Sequence, residues 1–92
     1  MRTILCYDVV ADKRRARLHK KLRAHLVPVQ KSVFEGDADA AGLKALEHIV
    51  HRECDLGVDA VRVYQLCATC AATLKLFGVS EPIAGPDAPQ VF

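Results

Sequence analysis

Asp8 stands at the end of an apolar, β-favouring run, Thr3 to Tyr7. A strand that delivers a carboxylate at its tip holds it rigidly and leaves its head in water, which suits catalytic and metal-binding carboxylates. Asp also ends strands and opens turns for backbone reasons alone. Beyond it, residues 13–23 carry seven Lys/Arg in eleven positions: Lys13, Arg14, Arg15, Arg17, Lys20, Lys21 and Arg23. No acid lies between Lys13 and Glu35 to pair with them. Such a run can neutralise phosphates and release counterions, which favours nucleic acid without sequence choice. Lys31 adds one more candidate phosphate contact.

Other groupings carry less. Cys67-Ala-Thr-Cys70 is a single Cys pair, whereas a structural zinc site needs four ligands. A thioredoxin-like redox pair would sit at a helix start after a strand, which this position allows. A turn with buried thiols accounts for the same pattern. His48 and His51 flank the apolar Ile49 and Val50 and read as exposed helix residues, while His19 and His25 read as part of the basic face. Walker, dinucleotide and Ser/His/Asp arrangements are absent from the sequence. The aromatic pattern of stacking RNA-recognition modules is absent too.

The elements that must position these groups follow from periodicity. Thr3–Tyr7 is apolar on both faces and predicts a central strand. Asp12 caps a helix over 13–25 whose buried stripe is Leu18, Leu22 and Leu26; Pro28 bars its continuation. Residues 29–36 are β-like, as one strand or two short ones. Asp37 or Asp39 caps a second helix, 40–53, burying Leu43, Leu46, Ile49 and Val50. Residues 59–66 form another strand, 67–70 a tight turn or a single helical turn, and Leu74–Phe77 a short strand. Ser80–Pro89, with three prolines, is a loop, and Val91-Phe92 an apolar end suited to an edge strand. This order predicts an α+β sandwich with helices on one face of the sheet. With two strands in 29–36 it becomes βαββαβ, the ferredoxin-like arrangement.

At 92 residues the chain is one small domain, a size that gains from burying more surface in a dimer. The net charge of +2 hides an asymmetry. Residues 1–31 hold nine Lys/Arg against two Asp, and residues 32–92 hold four against nine acids, a pattern that points to a nucleic-acid or membrane face. No run approaches the ~20 apolar residues of a membrane span. The short apolar start lacks an export-signal pattern, so the chain is expected to be cytoplasmic with reduced cysteines.

Three blocks carry a family likeness. Tyr7-Asp8-Val9 with Asp12-Lys13-Arg14-Arg15, then Val29-Gln30-Lys31-Ser32-Val33-Phe34-Glu35-Gly36, then Val61-Arg62-Val63-Tyr64 with Leu66-Cys67-x-x-Cys70, resemble the CRISPR-associated Cas2 family, the small partner of the CRISPR integrase. The likeness covers about residues 2–78. It implies a ferredoxin-like domain over 1–78 in a symmetric homodimer. It also implies a C-terminal loop and short strand, 79–92, packing on the partner chain. The implied role is spacer acquisition, in which the dimer bridges integrase dimers and binds incoming duplex DNA, as a non-catalytic scaffold or as a metal-dependent endonuclease of single-stranded RNA or duplex DNA. Asp8 matches the family's Mg²⁺-binding aspartate; Arg15, Arg17, Ser32 and Phe34 match its other activity-linked positions. Pro28 departs from the family, in which many members carry an Arg at that point.

Overall fold

The computed structural model describes residues 1–78 and the backbone of Gln90–Val91. The remaining expectations for the C-terminal loop, including Ser80–Pro89 and Phe92, lie outside the described residues.

Strand β1 (Arg2–Asp8) is central, as its two-sided apolarity requires. It pairs antiparallel with β3 (Val33–Asp37) on one side and β4 (Ala60–Leu66) on the other. Strand β2 (Val27–Gln30) closes the far edge, giving the sheet order β2-β3-β1-β4. Helices α1 (Asp12–Leu22) and α2 (Ala40–Glu53) complete a ferredoxin-like βαββαβ unit.

Residues 29–36 thus hold parts of two strands joined at Lys31-Ser32. Ser32 takes the left-handed conformation (φ 66°) that the tight turn demands. Its carbonyl accepts a 3.0 Å hydrogen bond from the Tyr7 amide, which pins the turn to the end of β1. The first helix starts one residue differently from expectation. Ala11 is its cap and makes no side-chain cap bond, while Asp12 lies inside the first turn and pairs with Arg15 at 2.8 Å. Its last residue is Leu22 rather than His25. Of the two candidate caps for α2, Asp39 takes the place, accepting from the Gly42 amide at 2.7 Å. The short strand predicted at Leu74–Phe77 narrows to β5 (Lys75–Leu76), which follows the one-turn helix α3 (Ala68–Ala71). It pairs in parallel with β6 (Gln90–Val91) of the same chain.

Period-2 alternation sends Leu5 and Tyr7 to the helix side of β1. There they join Leu18, Leu22, Leu26, Phe34 and Leu46 in one buried core. Gly36 is needed for the close approach on this side: a Cβ there would lie 3.0 Å from Leu26 Cδ2. On the opposite face Arg2 and Glu35 are buried together, with Nε and Oε1 4.0 Å apart. Burial pushes the Glu35 carboxyl up, and the Arg2 charge only partly opposes it.

One carboxylate holds an end of the sheet together. The side chain of Asp59 accepts from the amides of Val10 (3.0 Å) and Asp55 (2.8 Å), and from Arg14 Nε (2.9 Å) and Nη2 (3.1 Å). Arg14 first, then the two amides, hold its carboxyl well below the usual carboxylate range, against the opposing effect of burial. A depressed folded-state value gives stability that is complete above the unfolded value and is lost as pH falls toward the folded one.

Two outcomes follow for stability. Asp59→Asn lowers the thermal midpoint at neutral pH, and its midpoint falls less steeply than that of the wild type below about pH 4; calorimetry across pH measures both. Phe34→Ala, which empties the middle of the core, costs about 3–5 kcal/mol in urea denaturation.

Candidate active site at the end of the central strand

The tip of β1 presents two different surfaces, because successive side chains leave a strand on opposite faces. Asp8 is exposed on the face away from the helices. Its strand neighbour is Ala60, a small residue that leaves the carboxylate open. Arg62, across from Cys6, lies on the same face. Cys6, Tyr7, Asp8, Ala60 and Arg62 line a shallow cavity of about 200 Å³. Arg62 Nη1 donates to the Tyr64 hydroxyl at 3.4 Å, a contact that raises the guanidinium's already high pKa. The cavity is therefore lined by one carboxylate and one cation.

Tyr7 opens the second surface. Its hydroxyl shares a 3.4 Å hydrogen bond with His19 Nδ1. His19 in turn stands edge-on to the Phe34 ring, with centroids 5.0 Å apart. Tyr7, Asp12, Arg15, His19, Lys31 and Ser32 line a cavity of about 330 Å³. Arg15 is held at its rim, donating to the Val9 carbonyl at 3.2 Å and to Asp12 at 2.8 Å.

The positions predicted from sequence thus divide. Asp8 stands on one face; Arg15 and Ser32 stand together at the other cavity. Phe34 is fully buried, and its ring packs against those of Tyr7 (centroids 6.2 Å apart) and His19. Arg17 is exposed on α1 and lines neither cavity.

The basic helix also divides. Arg14 lies four residues before Leu18 and eight before Leu22, on the stripe that faces the sheet, and this is why it meets Asp59. Its Nε and Nη2 are engaged there, which gives Arg14 a structural role alongside the phosphate contact expected of it. Lys13, Arg17, Lys20, Lys21 and Arg23 are exposed, and none forms an ion pair among the described residues. Lys31 is exposed at the turn before β3.

Sequence reasoning passed over Arg62 and His19. Arg62 had no visible partner until the β1–β4 register placed it beside the tip of β1. His19 stood four residues after Arg15, a helical spacing that marks a shared face.

Among the described residues no three His, Cys, Asp or Glu side chains gather as a metal cage. Asp8 offers one open carboxylate. That donor suits a hard cation that keeps its waters and takes one or two carboxylates with the substrate's phosphate. No helix among the described residues is long and apolar enough to cross a membrane.

Known proteins share both the sequence and this fold. The family described as CRISPR associated protein Cas2 matches residues 1–74. A Chloroflexus aurantiacus protein named CRISPR-associated endoribonuclease Cas2 3 is 34% identical over 86 residues, covering 94% of this chain and 92% of its own. The crystal structure of a hypothetical protein, TT1823, from Thermus thermophilus superposes with a TM-score of 0.78 at 32% identity, covering 87% of this chain and 93% of that one. Streptococcus pyogenes Cas2, crystallised at pH 6.5, superposes at 0.66 with 28% identity over 73% of this chain and 87% of its own. The match runs through the β1 tip, the basic helix and the β4 strand that brings Arg62 to Asp8, and on this ground the chain belongs to the CRISPR-associated protein Cas2 family.

Proposed function

We propose that this chain acts in CRISPR spacer acquisition as a homodimer that holds nucleic acid on α1, and that Asp8 serves it as the carboxylate of a Mg²⁺-dependent endonuclease. The observation that carries the reading is the open Asp8 carboxylate at the end of a buried central strand, with Arg62 beside it. The endoribonuclease names of its relatives support the reaction class, hydrolysis of a phosphodiester in RNA.

The sheet face away from the helices supports the dimer. Tyr64 is 45% exposed there and Val27 49%, and a second sheet would cover both. Two-fold pairing through this face would turn two Asp8 side chains toward a common cleft. Mg²⁺ bound between them would polarise the scissile phosphate and acidify a water. Within each chain, Asp8 holds its carboxylate in solvent and Arg62 offers a charged guanidinium to a phosphate oxygen. Arg15, fixed by Val9 and Asp12, keeps a second cation at the other side of the tip.

The free cations of α1 favour a second reading, in which the dimer is a scaffold that bridges the integrase and only holds the DNA. From Lys13 to Arg23 the helix runs about 15 Å, the length of about four base-pair steps. That is longer than one scissile phosphate needs and suits a tracked backbone.

A cleavage assay on RNA and duplex DNA, with Mg²⁺ or with chelator, separates the two. Asp8→Ala lowers metal-dependent cleavage by about 100-fold or more while changing stability by less than about 0.5 kcal/mol, as an exposed site should. Equal cleavage by wild type and Asp8→Ala leaves the scaffold reading alone. The pair Arg17→Ala and Lys21→Ala weakens binding under both readings. It lowers the slope of log affinity against log salt by about 2, measured by fluorescence anisotropy.

A further inference from the structure

The cysteine pair after β4 is left unused by this chemistry. Cys67 caps α3, with extended backbone (φ −67°, ψ 167°), and Cys70 lies within that single turn. Both thiols are exposed, while Cys6 and Cys54 are half-buried. The turn beneath the pair is firmly built. Ala71 is completely buried, its amide donates to the Cys67 carbonyl at 2.8 Å, and the Thr73 hydroxyl donates to the Cys70 carbonyl at 2.6 Å.

Residues three apart on a helical turn have Cβ atoms about 5–6 Å apart, close to the roughly 4 Å a disulfide requires. Cys67, as the cap, lies outside the helical dihedrals that would resist the remaining adjustment. We propose that Cys67 and Cys70 form an exchangeable dithiol whose substrate is a small disulfide such as oxidised glutathione, Cys67 attacking and Cys70 resolving.

The electrostatics of the pair agree with these roles. The Cys70 amide and thiol, with the Thr69 amide, lower the pKa of the Cys67 thiol, although they close no cap hydrogen bond of ordinary geometry. The Cys70 thiol is raised by the same neighbour. Cys54 is raised mainly by burial and then by Asp59, which sets it apart as an inert thiol.

The exchange balances. The Cys67 thiolate attacks one sulfur of the small disulfide, forming a mixed disulfide and expelling one thiolate. Cys70 gives its proton to solvent and attacks the Cys67 sulfur, forming the Cys67–Cys70 bond and expelling the second thiolate. The chain loses two electrons and two protons, and one small disulfide becomes two thiols. The closed ring spans only four residues, so it restrains the unfolded chain little and stays reducible. It is a transfer site and not a staple.

The test uses full-length reduced protein, oxidised glutathione and mass spectrometry of tryptic peptides. Cleavage after Arg62 and Lys75 isolates Cys67 and Cys70 from the other two cysteines. Expected for the wild type is an internal Cys67–Cys70 disulfide, with two glutathione thiols released per chain. Cys70→Ser stops at a glutathione adduct on Cys67, and Cys67→Ser reacts about tenfold more slowly. A wild type that stops at glutathione adducts, a first adduct on Cys6 or Cys54, or a Cys67→Ser variant as fast as the wild type overturns the proposal.

Discussion

The Asp59 carboxylate governs the functional end of this fold. Its four donors come from different parts of the chain: the Val10 amide past β1, the Arg14 guanidinium on α1 and the Asp55 amide after α2. Asp59 itself is adjacent to Ala60, the first residue of β4 and the strand neighbour of Asp8. One buried anion therefore fixes where the first helix leaves the sheet and how β4 meets the β1 tip. A buried charge left without partners would be costly, and here every donor converges on it, so the junction has one arrangement. The open Asp8 pairs with the first residue of β4, next in sequence to this buried carboxylate.

At this junction a single strand end serves two surfaces. Tyr7 and Asp8 are consecutive, so they emerge on opposite faces. Tyr7 belongs to the core side, with His19, Phe34 and the Ser32 turn; Asp8 belongs to the open side, with Arg62. No rotamer of Asp8 brings it to the helix-side cavity without a shift of register, which would turn every side chain of β1 inside out. A carboxylate, Arg15 and Ser32 on one phosphate would therefore call for a substrate that wraps the edge of the sheet, or for a second chain.

Much of this was legible in the residues. The two-sided apolarity of Thr3–Tyr7 announced a central strand, and Leu18 and Leu22 announced the buried face of α1; Leu26, expected to extend that stripe, is buried beyond the helix end. The hairpin at Lys31-Ser32 was only half visible, because Ser tolerates the left-handed turn without announcing it as Gly or Asn would. The helix cap was misplaced at Asp12 because a carboxylate inside the first turn is as favourable as one at the cap. Arg62 was hidden for a deeper reason. Its importance depends on strand register between residues far apart in sequence, and local pattern carries no such information.

The basic run shows what helical period adds to composition. As seven cations it looked uniform. Placed on a helix of 3.6 residues per turn, it separates. Arg14 falls in line with Leu18 and Leu22 and becomes part of the frame. Arg15 and His19 share the edge that meets the β1 tip, and both line its cavity. Lys13, Arg17 and Lys20 fall on the far side, where no acid answers them among the described residues. A net charge of the same size could have been spread without this order. Because the stripe facing the sheet is filled by two leucines and one tethered arginine, the remaining cations have no inward alternative. Under the proposed function, a phosphate backbone would meet them already aligned, on the helix whose start the Asp59 clamp holds in place.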